Sequence, residues 1–215
     1  ILGTYARRNI SFKEGRGCYL VSDDGEKYLD FVQGIAVNSL GHCHKHLVDT
    51  IKEQSSRLWH VSNVFVIPEQ EKLAKKLTEN TFADFVCFQN SGSEATEAGI
   101  KIARKYFHAI GKPEKNRIIT FEGAFHGRTL AALFAAKNPK HTEGFGPKVE
   151  GFDQVPFADH EALKQKINKN TAAIMVETIM GEGGIKVLPD SFLQKLRKIC
   201  DENELLLILD EVQCG

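Results

Sequence analysis

Apolar residues follow two different patterns along the chain, and the change between them falls near residue 84. Before it, residues 18–21 and 28–31 are short strand-like runs bounded by Gly-containing turns. Residues 45–58 place apolar side chains on one helical face. A second helix is predicted to begin at Pro68. The N–H groups of the first helical turn have no acceptor within the helix, so a proline, which lacks this group, is tolerated there. The early part of the chain therefore reads as small strands followed by two amphipathic helices.

Beyond residue 84 the pattern predicts alternating strands and helices. The strands are apolar almost throughout, which indicates burial on both faces, and hence a mainly parallel sheet covered by helices. The predicted fold class is α/β. The predicted strands are residues 85–88, 117–121, 172–176 and 205–209, and the predicted helices are residues 93–108, 129–136 and 191–202.

The domain organisation predicted from this change is an N-terminal segment, residues 1–60, followed by part of a larger α/β domain, residues 61–215. The chain begins at Ile1 rather than Met and ends at Gly215 directly after an apolar strand. Either end therefore has the character of a cut end, and we expect the sheet to be incomplete.

Composition narrows the class of protein. The 28 basic residues balance the 28 acidic ones, so the chain lacks the broad basic field of a nucleic-acid binder. No apolar run approaches the roughly 18 residues that a membrane span requires. The five cysteines are odd in number and scattered, which favours reduced thiols over a disulfide framework. These features predict a cytoplasmic protein without nucleic-acid or membrane partners.

Polar clusters follow four of the predicted strands, where open α/β sheets bind their ligands. The first cluster is residues 90–95, in which Ser91 and Glu94 have the spacing of a capping box. Its small side chains leave backbone N–H groups open, and the helix dipole favours an anion there. A phosphate site and an ordinary capped helix both explain this motif.

The second cluster is residues 123–129, where Phe125, His126 and Arg128 stand between glycines. Such a loop can stack an aromatic side chain on a ring and bind a carboxylate through the guanidinium. The alternative is a solvated loop with Phe125 packed into the core.

The third and fourth clusters each begin with a carboxylate that ends an apolar strand. Glu177 precedes a Gly-rich stretch, residues 181–184, which lacks the GxGxxG spacing of a dinucleotide site. A buried carboxylate needs a partner, and Arg128 is a candidate for Glu177. Asp210 is placed to pair with a cationic ring nitrogen or with a metal.

A fifth polar run, residues 42–46, has the composition of a metal-binding tract, with three His and one Cys. Its i, i+2 spacing matches no common zinc pattern, and no second Cys/His cluster completes a tetrahedral site. A turn that leads into the following helix is the better explanation.

Taken in order, the four clusters resemble the class III aminotransferases, which are pyridoxal-phosphate enzymes of fold type I. Residues 34–42 and residues 67–71 resemble the acetylornithine aminotransferase branch of that family. The resemblance extends over essentially the whole chain.

The resemblance implies a role in cofactor binding for several residues. Gly92 and Ser93 would hold the phosphate of pyridoxal 5'-phosphate. Phe125 would stack on one face of its ring and Val212 would pack on the other. Asp210 would pair with the ring nitrogen, whose protonation makes the ring an electron sink.

The same resemblance assigns the remaining site residues. Glu211 belongs to the cofactor-binding motif, and Gln213 would hydrogen-bond the phenolic oxygen of the ring. Arg128 would bind the substrate α-carboxylate. Glu177 would act in catalysis by pairing with an arginine and sorting α-amino from terminal-amino substrates. No resident metal is expected.

The implied reaction moves an amino group from N-acetylornithine to 2-oxoglutarate through pyridoxamine phosphate, a step of arginine biosynthesis, in a homodimer. The Schiff-base lysine of the family would lie beyond Gly215, as would the small C-terminal domain, so the chain alone should be inactive. Lys101, Lys105 and Lys112 read as surface charges rather than substitutes.

Alternatives remain open within and outside this class. Ser93 departs from the usual family residue but keeps a phosphate donor, whereas Thr178 and Met180 depart in ways that bear on substrate specificity. The alternative amino donors are ornithine, 4-aminobutyrate and succinyldiaminopimelate. A non-catalytic short homologue that acts as a binding module is the alternative of another class.

Overall fold

The computed structural model describes every residue, and the chain divides into two compact units, Ile1–Val86 and Cys87–Gly215. The sequence placed the boundary of the N-terminal segment earlier, after residue 60. The difference arises because the helix that begins at Pro68 belongs to the first unit.

The first unit contains a three-stranded antiparallel sheet in the order β1-β2-β3, followed by helices. The predicted helices at residue 45 and at Pro68 are both present. The elements are β1 (Phe12–Arg16), β2 (Tyr19–Ser22), β3 (Lys27–Leu29), the single turn α1 (Gln33–Ala36), α2 (Lys45–Ser55) and α3 (Pro68–Asn80).

Burial within the first unit is slight, because neither α2 nor α3 contains a buried residue. Ile51, on the predicted apolar face of α2, is 67% exposed. His42, from the run with metal-like composition, lies 2.7 Å through Nε2 from Oδ2 of Asp30, just before α2 begins. This hydrogen bond and the start of α2 agree with the interpretation of residues 42–46 as a turn that leads into a helix.

The second unit is a four-stranded, all-parallel sheet in the order β5-β4-β6-β9. The predicted α/β class and parallel sheet are confirmed. Its elements are α4 (Gly92–Ala109), β4 (Arg117–Phe121), α5 (Leu130–Ala136), α6 (Pro139–Thr142), β5 (Phe152–Val155), α7 (His160–Lys166), β6 (Thr171–Val176), the hairpin strands β7 (Ile179–Met180) and β8 (Lys186–Val187), α8 (Asp190–Glu202) and β9 (Leu206–Leu209).

The core of this unit lies on both faces of the sheet. Ile174 packs into an apolar cluster with Leu196 of α8, whereas its neighbour Met175 belongs to a second cluster with Ile100 of α4. Successive residues of a strand point to opposite faces, so the two clusters are the two sides of the sheet. All six residues of β6 are buried, as the apolar run predicted.

One predicted strand is absent. Residues 85–88 form no strand, and Phe85 is 91% exposed. The prediction was wrong because an apolar run becomes a strand only when a neighbouring strand satisfies its backbone N–H and C=O groups. No strand pairs with this run. β5 and α7 were not predicted, since the alternating sequence of β5 (Phe-Asp-Gln-Val) carries only a weak apolar signal.

Candidate active site

The four polar clusters meet at one edge of the second unit. β4, β6 and β9 are parallel neighbours, so the loops that follow them leave the same edge of the sheet. α4 begins at this edge too, since the side chain of Ser93 in its first turn contacts the loop after β4.

The start of α4 is a capped helix with an open first turn. Ser91 Oγ accepts a hydrogen bond from the N–H of Glu94 at 3.2 Å, and Glu94 Oε2 accepts one from the N–H of Asn90 at 2.6 Å. The predicted capping pattern is therefore present. α4 has 18 residues, and its positive dipole end suits an anion at the backbone of Gly92 and Ser93.

Two glycines allow the loops to approach this helix closely. A Cβ on Gly92 would lie 2.5 Å from Cγ1 of Val212, in the loop after β9. A Cβ on Gly127, whose φ is +118°, would lie 2.5 Å from Oγ of Ser93. That hydroxyl accepts a hydrogen bond from the N–H of Arg128 at 3.1 Å. Larger residues at either glycine would push the loops away from α4.

A buried His–Asp pair connects the loops after β4 and β9. Nδ1 of His126 lies 2.8 Å from Oδ2 of Asp210, and their side chains are 0% and 7% exposed. The Asp210 carboxylate also accepts from the N–H of Val212 at 3.2 Å, and no Lys or Arg pairs with it. The sequence placed Asp210 in the site but gave His126 no role. The signal in the sequence that could have indicated a role for His126 was its position next to Phe125.

Glu177 lies beside this pair, directly after β6, and is 6% exposed. Its Oε1 accepts a hydrogen bond from the N–H of Phe125 at 3.0 Å, and its Oε2 has no hydrogen-bond partner. Burial raises the pKa of Glu177 to about 7, against the opposing effects of the Phe125 N–H and of His126. Arg128, the candidate partner named from the sequence, forms no ion pair with it.

Arg128 is instead exposed and lies with its guanidinium carbon 5.3 Å from the centre of the Phe125 ring. The edge of the Phe125 ring faces His141 of α6, with ring centres 6.4 Å apart. Because Arg128 forms no ion pair within the chain, its five N–H donors can serve a carboxylate ligand.

The other residues of the fourth cluster divide into two groups. The side chain of Glu211 accepts a hydrogen bond from Oγ1 of Thr178 at 2.6 Å and one from Cys214 at 3.2 Å, so its carboxylate faces the hairpin of β7 rather than Asp210. Val212 is 64% exposed and lies over Gly92. Gln213 lies near Gly181, whose Cβ would be 3.6 Å from the Gln213 side chain.

The donor set suits a ligand that carries both signs of charge. The start of α4 offers backbone N–H groups to an anion, whereas buried Asp210 offers a carboxylate to a cation. The close approach at Gly92 and Gly127 and the buried, unpartnered Oε2 of Glu177 show that these loops are tightly packed rather than solvated. Pyridoxal phosphate, with an anionic phosphate and a cationic ring nitrogen, fits this arrangement. His126, Glu177 and Asp210 place metal-ligating atoms within 4.8 Å of one another, but the shared His126–Asp210 hydrogen bond already occupies two of them.

An α/β domain with a phosphate-suited helix start and a buried carboxylate at the same sheet edge is the arrangement expected of a pyridoxal-phosphate-binding transferase. The class-III aminotransferase family model matches residues 4–215. The chain therefore belongs to the class-III aminotransferase family, which uses pyridoxal phosphate. No helix in the structure is long and apolar enough to cross a membrane.

Individual relatives agree with this assignment. The acetylornithine aminotransferase of Agrobacterium fabrum is 60% identical over 215 residues, which are 100% of this chain and 54% of that protein. A structure of the ornithine aminotransferase of Toxoplasma gondii aligns with a TM-score of 0.95 at 30% identity, over 100% of this chain and 51% of that protein. That structure has partial occupancy of pyridoxal phosphate at its active site. The N-acetylornithine aminotransferase of Stenotrophomonas maltophilia has a TM-score of 0.83 at 35% identity, over 100% of this chain and 54% of its own. The chain thus spans about half the length of the relatives it matches.

Proposed function

We propose that the protein containing this chain transfers the amino group of N-acetylornithine to 2-oxoglutarate, as a pyridoxal-phosphate-dependent enzyme of arginine biosynthesis. The observation that carries this proposal is the buried carboxylate of Asp210, held 2.8 Å from His126 and unpaired with any Lys or Arg, at the edge where α4 begins. The names of the relatives at 60% and 35% identity support the choice of amino donor.

The chain's own residues divide the binding of the cofactor among them. Gly92 and Ser93 would present N–H groups to the phosphate at the start of α4. Phe125 and Val212 would contact the ring. Asp210, oriented by His126, would favour a proton on the ring nitrogen, since a nearby carboxylate favours the charged form of a base. When bound, the cofactor supplies an electron sink for the carbon that loses its proton.

Substrate binding is assigned to the loops around this ring. Arg128 binds the α-carboxylate of the amino acid in a bidentate manner, which fixes the orientation of the bond to be broken. Gln213 would donate a hydrogen bond to the phenolic oxygen of the ring, and Glu211 supports the same loop through its hydrogen bond with Thr178. The oxo acid 2-oxoglutarate then takes the place of the amino acid at Arg128.

The assembly and compartment are part of the same proposal. We expect a homodimer, because the first unit leaves large apolar side chains at its surface, among them Phe31 at 88% and Trp59 at 87% exposure. We expect a cytoplasmic protein, because all five cysteines are free thiols.

The experiment that tests the proposed donor is a comparison of turnover by the full-length protein. N-acetylornithine, ornithine, 4-aminobutyrate and succinyldiaminopimelate are each supplied with 2-oxoglutarate, and glutamate is measured. N-acetylornithine should give the highest specificity constant. Ornithine is the second candidate, because its aminotransferase aligns with the higher TM-score of 0.95. Faster turnover of ornithine would replace the proposed donor.

A further inference from the structure

Glu177 is a buried carboxylate whose one hydrogen bond within the chain is to the backbone rather than to a charged side chain. It is 6% exposed, forms no ion pair with any Arg or Lys of the chain, and leaves Oε2 without a partner. Its one hydrogen bond goes to the backbone N–H of Phe125, at 3.0 Å. A group that recognises substrate would be expected at the surface of the cavity. Glu177 instead contacts the backbone of the loop that follows β4.

The hydrogen bond from Phe125 is one part of a closed set of contacts. The next residue, His126, holds the carboxylate of Asp210 at 2.8 Å, and the N–H of Asp210 donates to the carbonyl of Val176 at 2.8 Å. Val176 precedes Glu177. The loop after β4 is therefore tied to the ends of both β6 and β9, and the aromatic ring and the carboxylate of the site are held by neighbouring residues.

We propose that Glu177 is a positioning residue, which holds the backbone of Phe125 so that its ring keeps a fixed distance from the Asp210 carboxylate. The consequence for cofactor binding rests on the proposed function, in which Phe125 packs on the ring whose nitrogen Asp210 holds. The hydrogen bond itself does not depend on that function. This role requires only an oxygen atom at Glu177 that accepts the hydrogen bond from Phe125. It does not require a negative charge on the side chain.

The surroundings of Glu177 agree with a dispensable charge. The ionisable groups that face it are His126 from the loop after β4, Asp210 from the loop after β9 and Glu182 from the hairpin, so carboxylates outnumber the one base. Burial, with smaller contributions from Asp210 and Glu182, raises the pKa of Glu177 to about 7, against the opposing effects of the Phe125 N–H and His126. A neutral carboxyl and a carboxamide both keep the oxygen that accepts from Phe125, so glutamine is a close mimic.

The test uses the full-length protein with Glu177→Gln, Glu177→Ala and, as a matched control, Glu202→Gln at the exposed end of α8. Hydrogen–deuterium exchange is measured on the cofactor-free proteins for the peptide that spans residues 122–129. Glu177→Ala should exchange faster at Phe125, because its buried N–H loses its acceptor, whereas Glu177→Gln and the control should retain wild-type protection.

Dissociation constants for pyridoxal phosphate are then measured by equilibrium dialysis. Glu177→Ala should bind about tenfold more weakly, as expected for a lost buried hydrogen bond, and Glu177→Gln within about twofold of wild type. Equal weakening in the Gln and Ala variants would show that charge matters and would overturn the proposal. So would a Gln variant that binds cofactor normally but has a raised KM for the amino donor, which is the result that pairing with a substrate-sorting arginine predicts. If wild type binds no pyridoxal phosphate, the proposed function fails, and the exchange data still decide the role of Glu177.

Discussion

At the scale of single residues, the site depends on a carboxylate that is buried without a counter-charge from the chain. A buried, unpaired carboxylate is costly unless a ligand or hydrogen bonds stabilise it. Asp210 has two hydrogen-bond partners, Nδ1 of His126 and the N–H of Val212, and both fix its orientation. The cation that Asp210 lacks is therefore expected from the ligand.

Substitution of Asp210 by Asn tests this expectation. The amide keeps the shape of the side chain but cannot hold a proton on the ring nitrogen, so amino-transfer activity of the full-length protein should fall by about 100-fold or more, as expected when one partner of a buried ion pair is lost. Steady-state kinetics at saturating pyridoxal phosphate measure the effect. The control is Asp201→Asn, on the exposed side of α8. Activity within threefold of wild type in Asp210→Asn would contradict the role.

The sequence could place Asp210 but not His126, and the reason is physical. A carboxylate that ends an all-apolar strand violates the burial pattern, so it stands out from composition alone. A histidine between an aromatic residue and a glycine in a loop breaks no burial pattern, so His126 does not stand out in the sequence. Its partner, Asp210, lies 84 residues further along the chain. Its role emerges only when β4 and β9 are known to flank β6.

At the scale of elements, the site requires the loop after β4 to approach the start of α4 closely. Gly127 makes this possible in two ways, since its φ of +118° suits glycine and since a Cβ there would meet Oγ of Ser93 at 2.5 Å. The strand-like and helical periodicities predicted β4 and α4 well. They carry no information on the separation between the loops.

Gly127→Ala should therefore destabilise the protein more than Gly111→Ala. Gly111 also has a positive φ, +78°, but a Cβ there meets nothing within 4 Å. Both variants carry a backbone penalty, which is larger at the φ of Gly127, and together with the clash with Ser93 it should cost Gly127→Ala about 2 kcal/mol more in unfolding free energy. Urea denaturation of the cofactor-free variants measures the difference. Equal destabilisation would show that the loop does not depend on this contact.

A second element-scale feature is the packing of α7 on α8. The ring of His160 stacks on Phe192 with centres 4.0 Å apart, and neither of its ring nitrogens has a hydrogen-bond partner. Burial, with help from Lys195 and Lys164, lowers the pKa of His160, against smaller opposing effects of the acidic residues at the start of α7. The folded state thus favours the neutral ring.

This predicts a pH dependence of stability with a definite sign. Because the unfolded chain takes up the proton more readily, the contribution of His160 is present above its ordinary pKa of about 6.5 and is lost as the pH falls below that value. His160→Phe keeps the stacking without the titration, so its Tm should fall less than that of wild type between pH 7.5 and 5.5. His46→Phe, at an exposed position of α2, is the control. Parallel Tm curves for wild type and His160→Phe would contradict the prediction.

At the scale of the whole molecule, the sequence predicted the α/β class and the parallel sheet correctly, but it predicted a strand at residues 85–88 that is absent and missed β5. The run at residues 85–88 has strand composition, yet no strand lies beside it. β9 likewise pairs on one side only, with β6. Both observations agree with a chain that spans about half the length of its relatives. The apolar pattern identifies segments that can form strands. Whether such a segment becomes a strand depends on a neighbouring strand that pairs with it.

The central claim is that the full-length protein carries an amino group between two substrates, and an isotope experiment tests it most directly. The protein is mixed with N-acetylornithine labelled with ¹⁵N at the free δ-amino group, freed of excess donor, and then given 2-oxoglutarate. The account predicts about one labelled amino group retained per active site and its recovery as ¹⁵N-glutamate, as expected for two separate half-reactions. Release of the label as ammonia, or no retention before 2-oxoglutarate is added, would contradict it.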